Sequence, residues 1–368
     1  VDDQEIDLNA LRREIDAVDQ ELLERLNRRV ELAQKVGHYK LERGLEVYVP
    51  SREEEVFGKL TANNKGPLPA PSLRSIYREI ISAAISLEKP LKVAYLGPEG
   101  TYTHQAALKN FGSSIPFAPM RTVPDVFAAV LGLDADYGVV PVENSTQGTV
   151  ISTLDMLVES DLTIVAQIYL EIAHCLISQS PLSEIRSVHS KDNALGQCRQ
   201  WLARMLPNAE LVESSSTAAS VRHAKECPGA AAIASEVAAS LYDVPIVERN
   251  VMDKNDNITR FLVIGRSPTP MLGQGRDKTS LVFSLHDSPG SLLKALKPFS
   301  ERGINLCKIE SRPSRRKAWD YYFYLDIMGH RDEPHVQEAM SELEKMCPVL
   351  KWLGSYPDTK LQGLTWSD

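Results

Sequence analysis

Four cations near the start of this 368-residue chain have the types and spacing of an anion site: Arg12, Arg29, Lys40 and, beyond a proline, Arg52. From Asn9 to Arg43 there is no proline, and Leu8, Leu11, Ile15, Val18, Leu22 and Leu26 recur at three- and four-residue intervals. That pattern predicts one long amphipathic helix ended by Gly44. Arg29 and Lys40 return to one face of it, roughly 16 Å apart along the axis, so both long side chains reach inward to one small dianion. Arg12 lies roughly 25 Å from Arg29 and about 100° off its face, so it serves a different copy of the site. An intertwined dimer follows, with each ligand held by cations from two chains. The spacing alone fits equally a run of solvated charges.

Two more helices complete this unit. Pro50 and Ser51, with Glu54 placed to close a capping box, start a helix carrying Arg52 and Glu53. Residues 63–71 read as a loop, after which Ser72 caps a helix through Ile76, Ile80, Ile81 and Ile85 to Glu88, ended by Pro90. The run Leu11-Arg12-Arg13-Glu14-Ile15-Asp16 and the stretch from Arg29 through Lys40 resemble the all-helical chorismate mutase domain, over residues 1–90. The resemblance implies that Arg12 of one chain and Arg29 of the other grip the two carboxylates, with Arg52 in support. It implies that Lys40 faces the ether oxygen and that Glu53 meets the substrate hydroxyl. The reaction is pericyclic, so rate comes from holding a chair-like conformer and from stabilising the charge that grows on the ether oxygen. Glu88 stands where some relatives have glutamine and must be protonated to help. Mutase activity is then expected to rise toward acidic pH unless burial lifts the Glu88 pKa. Val49 and Ala84 are apolar where some relatives place polar ligand contacts.

With 43% hydrophobic residues, the chain has material for two or three independently packed cores. A net charge of -8 without basic blocks argues against nucleic acid and membrane surfaces as partners. Five scattered cysteines with no Cys-x-x-Cys pair fit a reducing cytoplasm. The histidines show no metal-ligand spacing; His330 and His335 read as a surface pair, and no metal is expected. No apolar run approaches membrane-spanning length, and the polar start is unlike a secretory signal, so a soluble protein kept in the cell is expected.

After Pro90, short apolar strands alternate with helices: 91–96, 137–142, 164–168, 231–234 and 261–264, an α/β signature. Ligands of open α/β sheets sit beyond the carboxyl ends of strands. Candidate segments are therefore 97–101, 143–148 and 214–217, although each also reads as a turn, a cap or loop punctuation. Together with Asn257-Ile258-Thr259-Arg260-Phe261 they resemble prephenate dehydratase, over residues 91–268. The resemblance implies a two-lobed, periplasmic-binding-like fold with the site in its cleft. It places Thr259 as donor or relay to the departing hydroxyl, with Glu143 as the proton source behind it. Asn144, Ser190 and Gln197 match further polar positions, and Arg260 is either an anchor for a substrate carboxylate or a structural ion-pair partner. Loss of CO2 and water is driven by aromatisation, so no cofactor is needed.

Residues 267–278, rich in proline and glycine, read as a linker. Beyond them the order strand, helix, strand, strand, helix, strand is the ferredoxin-like arrangement of an α+β unit. Pro289-Gly290-Ser291-Leu292-Leu293 at a helix start and Glu310-Ser311-Arg312-Pro313 after a strand resemble a phenylalanine-sensing ACT domain, over 279–357. Gly290, Ser291, Leu292, Glu310, Ser311, Arg312 and Pro313 are its implied effector residues, although Glu310 and Arg312 also fit a surface ion pair. The whole is expected to be a multidomain homo-oligomer, at least a dimer, that converts chorismate to prephenate and then to phenylpyruvate, under feedback by phenylalanine. Two rivals stay open: a non-catalytic solute sensor and an arogenate dehydratase.

Overall fold

The structure is a computed structural model, and it describes residues 7–88, 90–254, 256–313 and 321–359. Helix α1 (Leu8–Glu42) is capped by Asp7, whose carboxylate accepts from the Asn9 and Ala10 amides. It stops where Gly44 turns into the left-handed region, φ +64, a conformation that costs glycine no Cβ clash. Helices α2 (Pro50–Asn63) and α3 (Ala70–Glu88) follow. The capping box expected at Ser51 is absent. Pro50 occupies the first helical position, Ser51 is already inside and buried, and Val49 precedes the helix without a side-chain cap. Proline's fixed φ suits that first position and its missing N–H leaves one amide fewer to satisfy, while the Arg52 and Glu53 amides donate to the Val49 carbonyl. For the same reason α3 begins at Ala70, with Pro71 in its first turn, two residues before the expected Ser72.

The next unit has two lobes. In the first, β1 (Val93–Leu96), α4 (Tyr102–Phe111), β2 (Phe117–Met120), α5 (Val123–Leu131), β3 (Tyr137–Asn144), β4 (Gly148–Thr149), α6 (Ile151–Glu159) and β5 (Thr163–Glu171) follow in turn. The chain then crosses to a second lobe made of β6 (Cys175–Ile177), β7 (Ser187–Ser190), α7 (Asp192–Gln197), α8 (Arg199–Met205), β8 (Glu210–Glu213), α9 (Thr217–Glu226), β9 (Ala230–Ala234), α10 (Glu236–Tyr242) and β10 (Ile246–Glu248). It crosses back as β11 (Ile258–Gly265), which inserts antiparallel between β3 and β5. The sheet orders are β2-β1-β3-β11-β5 and β10-β6-β9-β7-β8. Both crossings lie side by side: the Val251 amide donates to the His174 carbonyl at 3.0 Å, and the Ile172 amide to the Asn257 carbonyl at 2.8 Å.

The last unit comprises β12 (Asp277–Ser284), α11 (Ser291–Glu301), β13 (Leu306–Pro313), β14 (Tyr321–Met328), α12 (Pro334–Glu344) and β15 (Leu350–Pro357), with sheet order β13-β14-β12-β15. This is the expected ferredoxin-like order.

The cores are not independent, contrary to the expectation from composition. Val47, Tyr48, Phe57, Ile81 and Ile85 of the helical unit belong to one apolar cluster with Val93, Phe111, Tyr137 and Phe261 of the first lobe. A second cluster joins Val126, Leu157 and Ile264 of that lobe to Val282, Tyr324 and Tyr356 of the last unit. The two sheets approach closely at Gly354, where an added Cβ would lie 2.2 Å from the Ile164 carbonyl oxygen. Much of the apparent linker is also pinned: Thr269 is buried and donates to the Val165 carbonyl. His330, expected at the surface, is 1% exposed beneath it, with Nε2 3.1 Å from the Thr269 carbonyl.

Candidate active sites

At the C-terminal half of α1, Lys40 and Glu88 face each other. Gly37 lies under Glu88; a Cβ there would stand 2.4 Å from Glu88 Oε2. It is the buried residue of α1. Burial pushes the Glu88 carboxyl above its usual pKa, against the pull of Lys40 and Arg29. Burial also lowers the Lys40 ammonium, with Glu88 opposing. Lys40 donates to the Val47 carbonyl at 3.0 Å, in the segment between α1 and α2. Arg29 is close enough to act on Glu88, whereas Arg12, on the exposed N-terminal half, is far from this group. Arg52 is exposed and binds Glu55 along its own helix at 2.6 Å. Glu53 differs from the expectation: its carboxylate is buried and held by Arg78 of α3, because a charge in that position needs a partner.

In the two-lobed unit, polar side chains gather where the chain crosses between lobes. Asn144, at the end of β3, accepts at Oδ1 from the Thr146 and Gln147 amides, both at 3.0 Å, and from the Thr146 hydroxyl at 2.6 Å. Backbone amides can only donate, so the side-chain orientation is fixed. Asn144 Nδ2 therefore points the other way, donating to Thr259 Oγ1 at 2.8 Å and to Asn257 Oδ1 at 2.7 Å. Asn257 Nδ2 donates to Gln197 Oε1 at 2.9 Å, and Gln197 Nε2 donates to Thr146 Oγ1 at 3.1 Å. Gln197 Oε1 also meets His174 Nε2 at 2.7 Å, and His174 Nδ1 meets the Tyr102 hydroxyl at 2.7 Å. Thr259, Asn144 and Gln197 are thus brought together.

Three expected members are not. Successive residues of a strand face opposite sides of a sheet, and β11 pairs Thr259 with Asn144 and Arg260 with Glu143. Arg260 and Glu143 consequently leave the cleft on the other face, toward the last unit. Arg260 binds Asp326 at 2.5 Å and the Tyr356 hydroxyl at 2.8 Å. Glu143 pairs with Lys308 at 3.0 Å. Arg260 thus makes the ion pair that was one of its two readings, and Glu143 faces Lys308 rather than Thr259. Ser190 is fully buried in the second lobe and donates to the Ile233 carbonyl at 2.6 Å.

His174, Asn257, Tyr102 and Thr146 were not singled out from sequence as site residues. Thr146 and Asn257 lay inside the quoted segments, and Tyr102 directly follows one; His174 gave no local signal. Thr101 and Ser216 proved to be helix caps.

In the last unit, Gly290 adopts φ +82 just before Ser291 and Leu292 open α11. Glu310, Ser311, Arg312 and Pro313 form the end of β13, rather than following it. Glu310 accepts from the Thr149 hydroxyl and pairs with Lys308 at 3.4 Å. Among the described residues, the buried Arg312 Nε has no hydrogen-bond partner. β13 is an edge strand, so its outer hydrogen-bonding side is open.

Known proteins match along nearly the whole chain. Residues 11–89 match the family model of chorismate mutase type II, 93–269 that of prephenate dehydratase and 279–345 that of the ACT domain. The bifunctional chorismate mutase/prephenate dehydratase of Aquifex aeolicus is 48% identical over 364 residues, 97% of this chain and 99% of the relative. That of Pseudomonas aeruginosa is 41% identical, covering 96% and 98%. Among solved structures, a prephenate dehydratase from Arthrobacter aurescens in complex with L-Phe aligns with a TM-score of 0.68 at 33% identity, covering 73% of this chain and 90% of that one. A helical unit with a Lys40–Glu88 pair, a two-lobed unit with a threonine at its crossing and a ferredoxin-like unit, in this order and at this identity, leave one conclusion: the chain belongs to the family of bifunctional chorismate mutases/prephenate dehydratases.

Proposed function

We propose that the two activities of this family are carried here by Lys40 with Glu88 and by Thr259 with Asn144. In the helical unit, Arg29 and Arg12 of a second copy hold the carboxylates of chorismate, with Arg52 turning from Glu55 to assist. Lys40 donates to the ether oxygen as its C–O bond breaks, and a protonated Glu88 supplies the second donor. The exposed apolar stripe of α1, from Leu8 at 63% exposed to Leu26 at 36%, supports a dimer in which another α1 covers it.

In the cleft, one observation carries the assignment. Both amide hydrogens of Asn144 are committed, one of them to Thr259 Oγ1. The Thr259 hydroxyl is therefore an acceptor from the protein, and its own hydrogen is free, among the described residues, for the departing hydroxyl of prephenate. A threonine is too weak an acid to act by full proton transfer; its hydrogen bond stabilises the oxygen as the ring carboxylate leaves as CO2 and the ring becomes aromatic. Phenylalanine, bound between paired ACT domains at the Gly290–Leu292 and Glu310–Pro313 segments, lowers dehydratase turnover.

The test supplies chorismate and prephenate separately to purified protein and follows phenylpyruvate. Both are consumed, with no metal or coenzyme added, and Thr259→Val slows the second step by about two to three orders of magnitude but not the first. Faster turnover of arogenate than of prephenate would reassign the substrate of the cleft.

A further inference from the structure

His174 sits on the first crossing between the lobes, 2% exposed, between β5 and β6. Its ring connects two partners from different lobes: Tyr102 of α4 and Gln197 of α7. The proton positions along this chain follow from the Asn144 amide alone. With Oδ1 committed to the backbone amides of 146 and 147, Asn144 must donate to Asn257 Oδ1. Asn257 must then donate to Gln197, so the oxygen of Gln197 faces both Asn257 and His174. An oxygen facing His174 Nε2 at 2.7 Å requires a hydrogen on Nε2. Burial holds the ring neutral by lowering its pKa, with the Gln197 bond opposing. Nδ1 then carries the lone pair, and the single hydrogen of the Tyr102 hydroxyl has two acceptors within reach, Nδ1 at 2.7 Å and the Ala173 carbonyl at 3.0 Å; the Nε2–H tautomer requires it on Nδ1, the shorter of the two.

We propose that His174 is a positioning residue for the dehydratase step: as the Nε2–H tautomer it holds the Gln197 oxygen toward Asn257, so that Asn257 keeps its own oxygen on the Asn144 NH2 group that serves Thr259. This rests on the assignment of Thr259 as the donor. If Gln197 were free to rotate its amide, its NH2 group would face the Asn257 NH2. Asn257 would turn in response, and its NH2 would displace the Asn144 donor. The chain of amides thus has one arrangement that serves Thr259: the backbone amides of 146 and 147 fix it at Asn144, and a neutral histidine with its hydrogen on Nε2 holds the other end.

The experiment compares His174→Phe, which keeps ring size and removes both nitrogens, with His174→Gln, whose amide nitrogen reaches the position of Nε2. His174→Phe is expected to lower dehydratase kcat about ten- to a hundredfold with KM nearly unchanged, and His174→Gln to restore most of it. In a Thr259→Val background, His174→Phe should change kcat no further, because the group it positions is gone. Chorismate mutase turnover of the same samples reports that the chain is folded. Equal loss in His174→Gln and His174→Phe, an effect confined to KM, or full additivity with Thr259→Val would each overturn the proposal. Full activity in Thr259→Val would sink the donor assignment itself. A silent His174→Phe alongside an inactive Thr259→Val would sink only the inference about His174.

Discussion

Thr259 and Arg260 are adjacent in sequence and do unrelated things. The threonine faces the cleft and receives a hydrogen from Asn144; the arginine points through the sheet to Asp326 and Tyr356. Two predictions separate them. Thr259→Val should lower dehydratase kcat by about two to three orders of magnitude, as loss of one preorganised donor does elsewhere, with the melting temperature retained. Arg260→Met leaves the Asp326 carboxylate buried without its cation, and should destabilise the chain by about 3–5 kcal/mol in denaturant titration. Were Arg260 instead an anchor for substrate, the second variant would raise KM in a stable protein. Glu88 carries the pH prediction. Its folded pKa is raised by burial, so the protonated, useful form persists above the ordinary carboxylate range and is lost as pH rises through the raised value. Mutase turnover should fall on that limb, and Glu88→Gln should remove it. What remains is the alkaline limb of Lys40, itself shifted down by burial. A pH–rate profile identical in both proteins would contradict this role.

At the scale of elements, α1 combines two features that pull in different directions. Its stripe of leucines is open to solvent: Leu11 47%, Ile15 58%, Val18 55% and Leu22 52%. Its one buried position, Gly37, is pressed against Glu88. The first feature is an unpartnered surface, the second a fit within the chain. Leu22→Glu should convert a dimer to monomer in sedimentation and lower mutase turnover, since Arg12 would no longer reach a partner's site. Gly37→Ala should leave the oligomer intact and still reduce mutase turnover, because the added methyl displaces the Glu88 carboxylate; the same sedimentation and mutase assays distinguish the two. Strand β11 shows how insertion between β3 and β5 makes one strand serve two compartments. Its alternation sends Thr259 to the cleft and Arg260 to the last unit, and the register with β3 sends Asn144 and Glu143 the same two ways.

Across the whole molecule, the segment proposed to bind the effector touches β3 and β4 on the face of the sheet opposite Thr259. Glu310 of that segment shares Lys308 with Glu143, next in sequence to Asn144, and also binds Thr149 on the short strand after the Asn144 turn. If phenylalanine is the effector and draws Glu310 to itself, both contacts are released, and its affinity would then differ between the two states. Lys308→Met should weaken inhibition by phenylalanine about tenfold or more while basal dehydratase turnover stays within a few fold; an unchanged inhibition curve would exclude this route. Much of this organisation is legible in the sequence. Hydrophobic periodicity marks the long helix, the strands 137–142 and 261–264 and the βαββαβ order, because burial of one face imposes its period locally. The short motifs likewise mark Lys40, Asn144, Gln197 and Thr259. Local pattern does not reveal on which side of a sheet a residue emerges, since that depends on register with a strand more than a hundred residues away. The sequence motif therefore places Glu143 with the cleft and leaves Arg260 between two readings, and His174, isolated between two apolar strands, carries no local signal. Nor does composition reveal that the units share cores, as Tyr48 with Phe111 and Tyr324 with Leu157 do. The sequence by itself determined which elements form and which residue types could do the chemistry, because those follow from near neighbours. Only the tertiary structure decided which of them meet, because contacts across lobes and sheets are set by strand insertion and packing at long range.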